Sequence, residues 1–96
     1  MKKAVQRDGK NIIYDTDRAK LLAHSSNDVS DMLLPTSYLY VTKNGNYFAY
    51  TLDKLNYIED IKPLKDVSEA IEMFNKLPDK IVSYETAFPG IEFEDA

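Results

Sequence analysis

At 96 residues, with a net charge of −4 and no cysteine, the chain can build one hydrophobic core but has no covalent staple for a smaller second one. Disulfides and thiolate metal sites are excluded, and no apolar run approaches the ~20 residues of a membrane-spanning helix. A single α+β domain over residues 1–96 is expected, soluble and intracellular.

Charge is unevenly spread. Residues 1–50 carry seven Lys/Arg against five Asp/Glu, whereas residues 51–96 carry five against eleven. A nucleic-acid binder needs a cationic footprint, and the sequence offers only Lys2, Lys3, Arg7, Lys10 and Lys43 for one, so direct DNA or RNA binding is disfavoured. An acidic second half suits a basic groove on a protein partner, or else serves as solvated charge.

In chain order, Lys3 to Arg7 and Asn11 to Tyr14 read as short strands around an Asp8-Gly9 turn, with Ile12 and Tyr14 on one face and Ile13 on the other. Asp15-Thr16-Asp17 is a turn, and Arg18 to His24 reads as a turn followed by a strand. Ser25 to Pro35 is a connection whose Met32, Leu33 and Leu34 are expected to tuck under the sheet. Ser37 to Thr51 is a β-hairpin, because aromatic and β-branched runs flank Asn44-Gly45. With Asn44 and Gly45 as the two central residues, Val41 faces Phe48 and Leu39 faces Tyr50 on one side. Thr42 then faces Tyr47 and Tyr40 faces Ala49 on the other.

Tyr57 to Lys62 is a further strand, ended by Pro63. Asp66-Val-Ser-Glu69 has the spacing of a capping box and starts a helix, in which Val67, Ala70, Ile71, Phe74 and Leu77 form one apolar stripe. Pro78 suits the first turn of a second short helix carrying Ile81, Tyr84 and Phe88, stopped by Pro89-Gly90. The tail from Ile91 alternates apolar and acidic residues, as an edge strand or an acidic tail would. The sum is an antiparallel sheet of four to six strands built on hairpins, with one or two C-terminal helices packed on one face.

Candidate chemistry is sparse. His24 is the sole histidine: a triad built on it would have no nucleophile-elbow glycine motif to present its serine, a transition-metal site has neither a second His nor a Cys, and a surface or half-buried polar role fits it better. Asp15-Thr-Asp17 begins like a calcium loop but lacks the downstream glycine and closing glutamate. All three glycines, Gly9, Gly45 and Gly90, sit in turn contexts rather than before a helix in a phosphate cradle. Neither catalytic residues nor cofactor are expected, and the protein reads as a non-enzyme.

Tyrosine is the abundant contact residue: seven occur, without tryptophan. With a helix on the Leu39, Val41, Phe48 and Tyr50 side, Tyr40 and Tyr47 would share the opposite face of the hairpin, either as cross-strand pairs covered by the N-terminal hairpin or as a recognition surface. The expected partner-binding residues are Tyr40, Tyr47 and Tyr57 with the carboxylates Glu59, Asp60, Glu85, Glu92, Glu94 and Asp95.

Three blocks carry a resemblance: Ile13-Tyr14-Asp15-Thr16-Asp17-x-Ala19-x-Leu21-Leu22, Leu39-Tyr40-x-Thr42-Lys43-Asn44-Gly45-x-x-Phe48, and Ile61-x-Pro63-Leu64 ahead of a helix. In these the chain resembles a family of small uncharacterised proteins of Gram-positive bacteria and their mobile elements; Lys65 to Ala70 departs slightly from the family pattern. The resemblance implies an accessory protein of a bacterial cytoplasm. By analogy of context it implies a stoichiometric inhibitor of host defence, such as an anti-CRISPR protein acting on a type II effector nuclease, of phage or mobile-element origin. The alternative is a nucleic-acid-binding accessory protein that uses the basic N-terminal hairpin.

Overall fold

A computed structural model of the chain describes residues 1–25, 35–53 and 55–94. The expected positions of Met32, Leu33 and Leu34 lie outside the described residues, as does Asp95. The architecture is α+β: a two-stranded hairpin, a five-stranded antiparallel sheet and a helical layer.

β1 (Lys2–Arg7) and β2 (Lys10–Asp15) form the N-terminal hairpin, with Arg7 opposite Lys10. Asp8 at φ 52 and Gly9 at φ 76 are both left-handed, as a two-residue type I′ turn requires. The expected faces hold: Tyr14 is fully buried, Ile12 half-buried, and Ile13 exposed. The Asp15 turn also forms, with the Asp17 N–H donating to Asp15 Oδ1 at 3.0 Å and the Ala19 N–H to the Asp15 carbonyl at 3.0 Å.

The larger sheet contains β3 (Lys20–His24), β4 (Thr36–Val41), β5 (Tyr47–Asp53), β6 (Ile58–Pro63) and the two-residue β7 (Asp79–Lys80), in the order β6-β5-β4-β3-β7. A bulge between Leu21 and Ala23 shifts the β3–β4 register, and Leu22 and Ala23 are both fully buried there.

The β4–β5 turn differs from expectation by one residue. Leu39 stands opposite Ala49, Tyr40 opposite Phe48 and Val41 opposite Tyr47. The loop has three residues, Lys43 to Gly45: the Gly45 N–H donates to the Thr42 carbonyl at 2.9 Å, and the Thr42 N–H to the Asn46 carbonyl at 2.8 Å. Gly45 alone takes a positive φ, 85°, which is the signature of a type I turn closed by a bulge. Thr42 selects it, because its hydroxyl accepts the Asn46 N–H at 3.0 Å and so satisfies a donor that the two-residue turn would pair differently.

A one-residue slip exchanges faces. Leu39, Val41, Tyr47 and Ala49 point to the helical layer, while Tyr38, Tyr40, Phe48 and Tyr50 point to the N-terminal hairpin. Two cores result. Leu22, Leu39, Ala49 and Leu64 pack with the helices on one side, and Tyr14, Phe48 and Ile61 form a smaller cluster under the N-terminal hairpin on the other.

α1 (Val67–Lys76) begins where the cap predicts. The Glu69 N–H donates to Asp66 Oδ1 at 2.9 Å, and Glu69 Oε2 reaches back to the Lys65 N–H at 3.0 Å, one residue before the position of a standard capping box. Ala70 and Phe74 are fully buried, and burial of the Phe74 ring contributes about 1.5–3 kcal/mol. Leu77 closes the helix, its N–H donating to the Met73 carbonyl.

No second helix starts at Pro78. The chain turns back to the sheet as β7, beside β3, and the Ile81 N–H donates to the Leu22 carbonyl at 2.9 Å. Helical geometry returns only in α2 (Tyr84–Ala87), a single turn capped by Ser83. The reason is competition: β3 presents unpaired edge groups, and pairing with them satisfies more of the main chain than one further helical turn would. Phe88 is buried edge-on against Phe74, and Ile81 is exposed. Residues 91–94 form no strand; Phe93 packs on Tyr84 and Phe88, so the tail is anchored by one aromatic.

Candidate functional site

The expected partner-binding residues separate into three places. Tyr47 lies on the helical side, and its hydroxyl donates to the Ala87 carbonyl at 2.6 Å, tying β5 to α2. Tyr40 lies on the opposite side, stacked on Phe48 with centroids 5.3 Å apart and planes at 10°. A shared Tyr40 and Tyr47 surface therefore does not exist, because the longer β4–β5 turn puts the two residues on opposite faces. Glu85, Glu92 and Glu94 are exposed on α2 and the tail, also on the helical side. Tyr57, Glu59 and Asp60 are exposed together at the β6 edge of the sheet.

The β5–β6 turn builds this last group. The Asp53 carboxylate accepts the main-chain N–H of Leu55 at 3.0 Å and of Asn56 at 3.3 Å, and its second oxygen accepts the Asn56 side-chain amide at 2.9 Å. The Asn56 side-chain hydrogen bond, together with the main-chain donors, holds the Asp53 carboxyl below its ordinary pKa. Tyr57 follows with φ 53, a left-handed backbone that costs a β-carbon-bearing residue about 1–2 kcal/mol. Tyr57 is 86% exposed, and Leu55 and Ile58 on either side are 58% and 60% exposed. The turn thus combines a left-handed non-glycine residue with three exposed apolar side chains close together in the chain.

The β6 edge next to this turn is partly closed to strand pairing. The Leu64 N–H donates to the Tyr47 carbonyl at 3.0 Å, so by alternation the main-chain groups of Ile58, Asp60 and Lys62 bond to β5, while the main-chain groups of Glu59, Ile61 and Pro63 point to the outer edge. Lys3 Nζ donates to the Ile61 carbonyl at 3.1 Å, Pro63 has no N–H, and the Arg7 guanidinium donates to the carbonyls of Leu64, at 3.1 Å, and Lys65. A strand added at this edge would meet Lys3, Arg7 and Pro63 in place of free main-chain groups.

Two cations of the N-terminal hairpin are thus engaged by the fold itself. Lys3 also pairs with Asp60 at 3.4 Å, which offsets part of that carboxylate's charge. Glu59 faces the tyrosine side of the sheet and lies beside the Tyr50 hydroxyl. Burial first, then the Glu59 carboxylate, raises the Tyr50 pKa above 10.0. Tyr50 is 5.6 Å from Tyr38, Tyr38 is 6.5 Å from Tyr40, and all three are half-buried.

Sequence reasoning missed Tyr38, Tyr50, Leu55 and Ile58 as members of this surface. The signal for the first two was present: a three-residue loop at Lys43 to Gly45 pairs Tyr38 with Tyr50 on the Tyr40 face. His24 sits near the same face. Its Nδ1 lies 2.7 Å from the Ser25 carbonyl and 3.6 Å from Asp79, and its ring is 5.9 Å from Tyr38, which is the half-buried one of the two polar roles expected of it.

Comparison with protein-family models, curated proteins and solved structures finds no match. Among the described residues, no helix is long and apolar enough to cross a membrane.

Proposed function

We propose that this protein is a non-enzymatic interaction module, a stoichiometric inhibitor or modulator of a host nucleic-acid-handling protein such as a type II CRISPR effector nuclease. Tyr57 carries the reading. An aromatic residue 86% exposed on a left-handed backbone, flanked by Leu55 and Ile58 and followed by Glu59 and Asp60, offers a partner an apolar anchor ringed by carboxylates. A cleft that normally receives nucleic-acid phosphates is basic and often carries apolar side chains for base stacking, so an acidic rim around an aromatic anchor complements it. The half-buried tyrosines Tyr38 and Tyr50 extend the contact toward Glu59.

The test is a target-cleavage assay with purified type II effector, guide and DNA at a stoichiometric excess of this protein, alongside capture of partners from a Gram-positive lysate. Inhibition that Tyr57→Ala with Glu59→Lys abolishes supports the reading. Unchanged cleavage together with no captured partner sinks it.

A further inference from the structure

Among the described residues, β2 has a pairing partner on one side only, β1. The Thr16 N–H donates to the Met1 carbonyl at 3.0 Å, and this fixes the phase of the ladder. Alternation then turns the main-chain groups of Lys10, Ile12 and Tyr14 toward β1 and leaves the N–H and C=O of Asn11 and Ile13 on the outer edge. Among the described residues these four groups have no main-chain partner.

The free edge borders a groove formed with the β4–β5 turn. A cavity of about 450 Å³ lies between Asn11 and Ile13 on one wall and Thr42, Asn44 and Asn46 on the other. A second, of about 310 Å³, shares Ile13, Thr42 and Asn44 and continues toward Ala19. The lining contains four cations, Lys2, Lys10, Arg18 and Lys43, in a chain whose net charge is −4. Asp15 is the carboxylate beside them, and its oxygens are engaged by the Asp17 N–H at 3.0 Å and by Arg18 Nε at 3.9 Å. Ile13, 63% exposed, is the apolar element of the rim.

We propose that this groove binds an extended acidic peptide segment of a partner protein, added as a third strand beside β2. The unpaired edge offers donors and acceptors in alternation, and another peptide main chain matches both. A phosphate backbone supplies acceptors alone and would leave the Asn11 and Ile13 carbonyls unpaired. The excess of cations selects acidic side chains, and Ile13 offers an apolar contact to a residue of the added strand. The site is separate from the β6 edge, where Lys3, Arg7 and Pro63 obstruct strand addition, and it stands whether or not Tyr57 binds a nuclease.

The test uses the full chain and a fluorescent ten-residue peptide of alternating glutamate and valine, read by anisotropy at low salt, with amide hydrogen exchange by NMR in parallel. Saturable binding is expected, with exchange at the Asn11 and Ile13 amides slowed about ten-fold or more. Ile13→Pro removes an outward N–H that the hairpin does not use and should weaken binding about ten-fold while the urea midpoint holds. Should that variant unfold, Lys10→Glu with Lys43→Glu leaves the edge intact and should weaken binding equally. An alternating lysine and valine peptide binding as well as the acidic one would overturn the proposal. So would failure of the acidic peptide to bind, binding without protection of those two amides, or its displacement by a fifteen-nucleotide oligothymidine that binds more tightly.

Discussion

Lys3 donates its ammonium to the Ile61 carbonyl at 3.1 Å, on the outer side of β6, and Arg7 takes the carbonyls of Leu64 and Lys65 further along. One strand of the N-terminal hairpin thereby holds the layer onto the sheet and guards its edge. Arg7→Ala is expected to cost about 1.5–3 kcal/mol, because two charge-assisted bonds are lost and a half-buried carbonyl is left without its donor. Urea unfolding at unchanged m-value checks it. Lys3→Ala, at a side chain 45% exposed, should cost less than about 1 kcal/mol, but combined with Arg7→Ala it should produce concentration-dependent association visible by light scattering.

Two exposed-looking tyrosines of one sequence have opposite fates. Tyr47→Phe removes the bond to the Ala87 carbonyl and should lower stability by about 0.5–1.5 kcal/mol, with the proposed inhibition unchanged. Tyr57→Gly relieves the φ of 53° and should leave stability equal or raise it by up to about 1 kcal/mol, while weakening partner binding about ten-fold or more. Urea midpoints and inhibition curves on the same two preparations separate the roles.

Tyr14 is fully buried, and its hydroxyl has no hydrogen-bond partner among the described residues. Its ring packs edge-on against Phe48 at 5.3 Å, so the ring, not the hydroxyl, does the packing. Tyr14→Phe is expected to be neutral or to stabilise by about 1 kcal/mol, since a desolvated, unpaired polar group is removed without loss of volume. Loss of more than about 1 kcal/mol in urea unfolding would show that the hydroxyl is bonded in solution.

The pH dependence has a defined sign at the alkaline end. Burial pushes the hydroxyls of Tyr40, Tyr47 and Tyr50 above their ordinary pKa of 10.0, Tyr40 with help from Tyr38 and Asp17, and Tyr50 with help from Glu59. The folded state therefore prefers the protonated phenol. The resulting stability is complete below 10.0 and is lost as pH rises through the higher folded values. Urea midpoints measured from about pH 8 to pH 11 should fall, and Tyr50→Phe should make the fall shallower.

Much of this fold is legible from local rules. The Asp8-Gly9 turn, the Asp15 turn, the Asp66 cap and the apolar stripe of α1 each depend on residues within a few positions of one another, and each forms as expected. The β4–β5 register does not follow from Asn44-Gly45 alone, because the Thr42 hydroxyl bonds to Asn46 and lengthens the loop by one residue. That single residue moves Tyr47 to the helices and brings Tyr38 and Tyr50 to the face of Tyr40. Pro78 carried the same kind of ambiguity: it fits a helix start, but the unpaired edge of β3 was available for β7.

What the sequence determined by itself is the class of molecule, an acidic α+β chain built on two hairpins and a capped helix, because turn chemistry and periodicity act over short range. Tertiary structure decided which tyrosines are architecture and which belong to a surface, because a face is assigned by pairing register and by what packs above it. It also decided the use of the basic residues. Lys3 and Arg7 close the β6 edge, whereas Lys2, Lys10, Arg18 and Lys43 line the groove at the open edge of β2, a division that appears only once the hairpin is laid on the sheet.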